Sequence, residues 1–179
     1  VLYAGNIDVK QSVWNGHVRY DFTFDGSHAT IVCPDSVISG KPWIWRPAFF
    51  GAFPSVDKAL LKKGFHVVFY DMTHRYGSPQ AVEQGRKFYD YLLSAWHFSP
   101  KVTLEGFSRG GYYALNWAIA NPDKVACLYL DNPVCDMFSW PGEKSKLWND
   151  FLKEWGMTSV DKDNFKGNPL DNLAPLASQ

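Results

Sequence analysis

The sequence predicts one α/β domain over residues 1–179, with helices on both faces of a mostly parallel sheet and antiparallel strands at its N-terminal end. From residue 17 onward, short runs rich in β-branched and aromatic residues alternate with longer runs of helical periodicity. That alternation is typical of strand, helix and strand units around a parallel sheet. The chain has 46% hydrophobic residues, which is enough for one core and excludes a disordered chain.

The first two predicted strands form an antiparallel pair. His17–Asp25 alternates apolar and polar residues, as a half-buried strand does, and Ala29–Cys33 is a short apolar run rich in β-branched residues. Asp25-Gly26 begins a tight turn of the kind that joins hairpin strands. We therefore expect these two strands to pair with each other.

A helix, a buried strand and a second helix follow. Val56–Lys63 places its leucines on one helical face, and His66–Tyr70 is apolar on both faces, as a strand inside a parallel sheet is. Pro79 suits the first turn of a helix, with Ser78 as its cap. That helix is expected to continue to about His97.

The next stretch reads as strand, glycine-flanked turn, helix and strand. The predicted elements are Val102–Leu104, Gly110–Ala120 and Val125–Leu130. Residues 137–168 then break the alternation, carry several tryptophans and contain one predicted helix, Glu143–Trp155. We expect this segment to form a lid over the functional site, and a small core of its own is the alternative.

Charge and composition limit the partners. Eighteen Lys and Arg residues balance eighteen Asp and Glu residues, so no net field draws the chain to nucleic acid or to an anionic membrane. No apolar stretch approaches the ~20 residues that a spanning helix needs. Three cysteines predict no disulfide framework. The expected partner is a neutral small molecule, with neither nucleic acid nor membrane, and the compartment is left open.

A serine motif lies between the predicted strand and helix. Gly106-Phe107-Ser108-Arg109-Gly110 matches the pattern G-x-S-x-G in the strand–turn–helix context that this pattern requires. The glycines are needed there because a strained turn pushes the serine hydroxyl out of the sheet, and side chains at those positions would collide with neighbouring backbone. The alternative is an exposed serine in a flexible glycine turn.

On these residues the chain resembles the α/β-hydrolase superfamily, in its serine esterase and prolyl-oligopeptidase-like branch, over about residues 17–178. The resemblance implies that Ser108 attacks an ester or amide carbonyl and that water hydrolyses the acyl-enzyme. It implies the Arg109 amide as one oxyanion donor. By position in the loop 34–51, the second donor is expected near Trp45 or Arg46. No metal or organic cofactor is implied.

The base and acid that the family requires are harder to place. The superfamily order is serine, acid, histidine, yet all five histidines of this sequence precede Ser108. We therefore expect the chain to end before the last two strands of the family, so that the base lies on a missing C-terminal segment of the same protein. Asp131 is a candidate acid, with a turn or cap role as the alternative. His74 is a substitute base, with a loop role as the alternative.

Aromatic residues suggest the substrate class. Trp43 and Trp140 are expected to bind a small-molecule or carbohydrate ester by stacking, and Arg46 to meet an anionic group on it. Packing of these rings against the sheet is the alternative. Two other functions use the same residues: a non-catalytic binding module of this fold, and an acyltransferase.

Overall fold

The computed structural model describes residues 7–177 and contains one seven-stranded sheet. The strands are β1 (Lys10–Trp14), β2 (His17–Phe24), β3 (Ser27–Val32), β4 (Trp43–Arg46), β5 (His66–Tyr70), β6 (Val102–Phe107) and β7 (Val125–Asp131). The helices are α1 (Ser55–Lys62), α2 (Pro79–Tyr91), α3 (Arg109–Ala120) and α4 (Trp148–Glu154). None of the described helices is long and apolar enough to cross a membrane.

The strand order across the sheet is β1-β2-β3-β5-β4-β6-β7. β1, β2, β3 and β5 pair antiparallel in that sequence, whereas β5, β4, β6 and β7 run parallel. The carboxyl ends of the four parallel strands therefore meet at one edge. This architecture confirms the predicted fold class.

Helices cover both faces of the parallel half of the sheet. α2 and α3 pack on one face, where the large core includes Trp45, Phe88 and Trp117. α1 packs on the other face, where Leu61 meets Ile44 in a smaller core. α2 ends in a π-helical turn over Leu92–Trp96, so the predicted helix from Pro79 to about His97 is continuous but not uniformly α-helical.

The antiparallel strands include one that the pattern analysis does not predict. The predicted β2–β3 pair is confirmed, and its turn places Asp25 and Gly26 at positive φ of 44° and 79°. β1 pairs in turn with β2 through Asn15 and Gly16, at φ of 50° and 88°. Two consecutive left-handed residues match the right-handed twist of hairpin strands.

The segment 137–168 packs on the main domain through its own apolar cluster, which includes Phe151 and Tyr112 of α3. Polar contacts fix it as well: the indole nitrogen of Trp155 donates to the Tyr76 carbonyl at 3.0 Å, and Tyr112 Oη donates to the Gly167 carbonyl at 2.9 Å. Its helix is α4, which is shorter than the predicted Glu143–Trp155. The structure thus gives this segment a small core, and the lid role stays a prediction.

Candidate active site

Ser108 lies at the sharp turn where β6 passes into α3. Its backbone angles are φ 52° and ψ −128°, outside the regions that non-glycine residues usually occupy. Three hydrogen bonds hold the turn: Ser108 N donates to the Asp131 carbonyl at 3.1 Å, and the amides of Gly111 and Val134 donate to the Ser108 carbonyl at 2.9 Å. The strain is thus supported by β7, by α3 and by the chain after β7.

The glycines around Ser108 are required by close backbone approach. A Cβ at Gly106 would lie 2.7 Å from the Gly111 Cα, and a Cβ at Gly111 would lie 2.8 Å from the Pro133 Cα. A Cβ at Gly110 would lie 3.0 Å from the Ala48 Cβ and 3.7 Å from the Ala48 amide nitrogen. At positions 106 and 111, β6, α3 and the chain after β7 therefore meet at distances that only glycine permits, and the chain after β4 approaches Gly110 almost as closely.

A cleft of about 460 Å³ opens at this turn. Ser108 is half-buried there, and Trp140 from the 137–168 segment forms part of the wall. The lining residues are Phe107, Ser108, Asn132, Pro133, Val134, Cys135, Asp136, Ser139, Trp140 and Leu170. Burial raises the pKa of the Cys135 thiol, which disfavours its nucleophilic thiolate form. The cleft also carries two serine hydroxyls, those of Ser108 and Ser139, and of these two Ser108 lies in the strained turn.

Trp43 and Trp45, which the sequence analysis assigned to the site, lie in the core. Trp43 and Trp45 are 1% and 0% exposed, and the Trp45 ring meets Trp117 of α3 edge to face at 5.1 Å. The prediction that Trp43 binds substrate is wrong because β4, expected as part of a loop, is a central strand of the sheet. The prediction of Trp45 as an oxyanion donor is wrong for the same reason, since this residue lies inside the ladder between β5 and β6.

Arg46 does not face a substrate either. Its guanidinium is buried, donates to Asp57 through Nη1 and to the Ala52 carbonyl at 2.9 Å through Nη2, and lies 3.6 Å from Glu105. These partners engage the Arg46 guanidinium. The prediction that Arg46 binds an anionic group of the substrate is therefore wrong. The residue that approaches the α3 N-terminus is Ala48, two residues after β4 ends, next to Gly110. The sequence analysis does not select Ala48, because it treats β4 as part of a loop.

We expect Trp45→Ala to lower the free energy of unfolding by about 3–5 kcal/mol, because truncating a fully buried tryptophan leaves a large cavity. Turnover by the fraction that stays folded should change little. Urea unfolding and ester kinetics on the same samples measure the two effects. Trp140→Ala is the matched control, since that ring is half-exposed in the cleft and should affect turnover more than stability. Unchanged stability with lost turnover in Trp45→Ala would contradict the core placement.

The candidate acid and base both lie at the carboxyl ends of the parallel strands, but neither lines the cleft. Asp131 ends β7 with an exposed side chain, and its carbonyl accepts a hydrogen bond from the Ser108 amide. His74 is exposed on the loop after β5, with its ring 6.4 Å from the ring of Tyr76. Among residues 7–177, no histidine lines the cleft. Both roles stay predictions.

Aromatic rings of the loop after β4 also flank the serine. Phe107 lies between Phe49 and Phe53, with ring centroids 5.5 Å and 5.4 Å away. The guanidinium of Arg109 lies 5.2 Å over the Phe49 ring. Phe53 is 73% exposed, which is unusual for so large an apolar side chain. Across the described part of the chain, no three metal-ligating side chains converge.

A sequence model of the alpha/beta hydrolase fold matches residues 45–174. A search of curated proteins gave no match. Among solved structures, puromycin hydrolase superposes with a TM-score of 0.64 and 17% identity, covering 95% of this chain and 29% of its own length. The zinc-bound form of a cold-adapted esterase from an Arctic intertidal metagenomic library gives 0.56 and 15%, covering 84% and 70%.

A probable hydrolytic enzyme from Pseudomonas aeruginosa PAO1 superposes with a TM-score of 0.50 and 18% identity, covering 74% of this chain. The chain spans 43% of the length of that enzyme and 61% of the native cold-adapted esterase. At these identities the structural likenesses concern the fold.

Proposed function

The chain belongs to the alpha/beta hydrolase fold family, and from this premise we propose that it is a serine hydrolase that cleaves a carboxylic ester through an acyl-enzyme on Ser108. The observation that carries the proposal is the strained Ser108 turn between β6 and α3, which opens into the cleft. A turn of this kind is found where a serine must project its hydroxyl from a sheet toward a substrate. The name of one structural neighbour, the cold-adapted esterase, is consistent with the proposal.

The chemistry follows from the position of the serine. Its Oγ attacks the ester carbonyl carbon while a base takes the hydroxyl proton, and the carbonyl oxygen becomes a tetrahedral oxyanion. The Arg109 amide, at the first position of α3, is one proposed oxyanion donor, and the Ala48 amide across from Gly110 is the other. Collapse of the intermediate releases the alcohol, which takes the proton from the base; water then attacks the acyl-enzyme, releases the carboxylic acid and regenerates Ser108.

We propose that the base is a histidine on a further segment of the same protein that packs beside β7. Two observations support this. No histidine among the described residues lines the cleft, and β7 forms an edge of the described sheet, with side chains such as Cys127 and Tyr129 exposed. An edge strand with exposed apolar side chains offers unpaired backbone groups to another strand. Asp131 at the end of β7 remains the proposed acid.

The proposed substrate is a small-molecule or carbohydrate ester. The cleft combines apolar wall residues such as Phe107 and Trp140 with the polar groups Asn132, Asp136 and Ser139. Apolar walls with a few polar groups are typical of small-ligand sites, and an indole ring stacks on sugar or aromatic rings.

A fluorophosphonate probe tests the proposed nucleophile. We expect the natural-length protein to be labelled at the peptide that carries Ser108, because only an activated serine reacts with this electrophile. Mass spectrometry of the digest identifies the labelled residue. Ser139→Ala is the matched control, since Ser139 lines the same cleft but lies outside the strained turn, and this variant should label fully. Labelling at Ser139 or elsewhere would place the nucleophile outside the turn.

A further inference from the structure

A buried group of three charged side chains lies under the chain that follows β4. Arg46 ends β4, Asp57 lies in the first turn of α1, and Glu105 lies on β6, three residues before Ser108. Their side chains are 2%, 0% and 6% exposed. Arg46 donates to Asp57 and lies 3.6 Å from Glu105, so the group ties three elements of the site together.

The group contains one cationic side chain, Arg46, and two carboxyl groups, those of Asp57 and Glu105. Asp57 Oδ1 and Glu105 Oε2 are buried and have no hydrogen-bond partner among the described residues. Burying an unpaired carboxylate oxygen is costly, whereas a proton kept on one acid lets it donate to the other. Burial and the neighbouring Asp57 carboxylate raise the pKa of Glu105 to about 8, with Arg46 opposing and Asp131 of β7 adding to the rise. Glu105 therefore keeps its proton at neutral pH.

Arg46 also holds the loop of residues 47–54. Its Nη2 donates to the Ala52 carbonyl at 2.9 Å. Within that loop Phe49 and Phe53 adopt positive φ of 56° and 47°, a strained state that persists only where surrounding contacts enforce it. The same loop places Ala48 against α3 beside the serine turn. A change in the hydrogen bonds of Arg46 would therefore move the 47–54 loop, and with it the Ala48 amide.

We propose that Arg46, Asp57 and Glu105 are positioning residues that hold the 47–54 loop beside Ser108, and that the hold weakens when the group loses the one proton it retains. The proposal rests on the proposed function in one respect, because the loop affects turnover only if Ala48 is an oxyanion donor. Once Glu105 ionises, two buried carboxylates compete for Arg46 and draw its guanidinium from Ala52. Turnover should then fall at alkaline pH through kcat rather than KM, since an oxyanion donor acts in the transition state.

The sign of the stability effect follows from the raised pKa. A carboxyl group whose pKa in the folded protein exceeds its unfolded value of 4.5 stabilises the fold fully at pH below that value. This stabilisation is lost as the pH rises toward about 8. Glu105→Gln keeps the shape of the side chain and has no proton to lose, so the corresponding pH dependence should vanish.

The experiment compares the natural-length wild type, Glu105→Gln and the control Glu154→Gln. Glu154 also pairs with an arginine, Arg75, at 2.7 Å, but lies on α4 outside the group. We expect kcat of the wild type and of the control to fall roughly tenfold between pH 7 and pH 9, as one ionisation near pH 8 requires, with KM unchanged. Glu105→Gln should lose less than about twofold over this range.

A readout independent of turnover accompanies the kinetics. The infrared carbonyl stretch of a protonated carboxylic acid should be present in the 179-residue wild type at pH 7, fall to about a tenth by pH 9 and be absent from Glu105→Gln. Should Glu105→Gln fail to fold, Asp57→Asn serves instead, because it removes the second acid and should abolish the loss of kcat between pH 7 and 9.

The same alkaline fall in kcat in Glu105→Gln as in the wild type would overturn the proposal, and so would a wild type without the infrared signal at pH 7. An infrared signal in a protein that turns over no ester would contradict the proposed function alone.

Discussion

Ser108→Ala is expected to lower kcat/KM for an ester by roughly 10⁴- to 10⁶-fold in the natural-length protein, because the attacking oxygen is removed while the oxyanion donors and the cleft remain. What is left should be a small residual rate from oxyanion stabilisation and binding. The measurement is steady-state hydrolysis of a chromogenic ester, with active-site titration to exclude contaminating wild type. KM should change far less than kcat, since Ser108 acts on the substrate only during reaction.

Substitutions at Ser108 also test whether the turn is strained. Alanine has a Cβ and meets the same steric penalty as serine at φ 52° and ψ −128°, so Ser108→Ala should leave the free energy of unfolding within about 0.5 kcal/mol. Glycine adopts positive φ readily, so Ser108→Gly should raise the free energy of unfolding by about 1 kcal/mol over the alanine variant, part of the strain being offset by the freer unfolded chain. Gly156→Ala is a control with the opposite sign, since Gly156 has φ 68°.

Activity retained in Ser108→Ala would show that the nucleophile is another residue. Equal stability of the glycine and alanine variants would show that the turn is not strained in solution. The two readouts are independent, because one concerns the oxygen atom and the other the backbone.

Features with a local signal were predictable from the sequence. The cap of α2 is an example: Ser78 Oγ accepts a hydrogen bond from the Ala81 amide at 3.1 Å, directly before Pro79, as the sequence predicts. The position of Ser108 between β6 and α3 is another, since its glycines and its flanking elements lie within a few residues of it. β1 carries a local signal as well, the Asn15-Gly16 turn, but it lies before residue 17, where the strand-and-helix alternation begins.

β4 shows why other features were not predictable. It has four residues, lies between Pro42 and Pro47, and carries an arginine, so neither its length nor its composition indicates a central strand. Its burial depends on partners far along the chain: β5 and β6 on its two sides, and Asp57 and Glu105 for the charge of Arg46. The errors at Trp43, Trp45 and Arg46 all follow from this one missed strand.

The base of the proposed reaction is decided by comparing ester hydrolysis by the 179-residue chain and by the natural-length protein, each with and without His74→Ala. We expect only the natural-length protein to work, and His74→Ala to leave it unchanged. His74 is exposed, contacts the ring of Tyr76 and does not line the cleft. The 179-residue chain should then show only the residual catalysis of a serine site without its base, roughly 10³- to 10⁴-fold over water.

Self-association through β7 provides a second measurement on the same proteins. If a further segment pairs with this edge, the 179-residue chain should associate more than the natural-length protein in sedimentation experiments, because it exposes unpaired backbone groups beside side chains such as Tyr129. Full activity of the 179-residue chain that disappears in His74→Ala would instead make His74 the base. Because His74 lies on the loop after β5, that result would require this loop to bring the imidazole into the cleft when substrate binds.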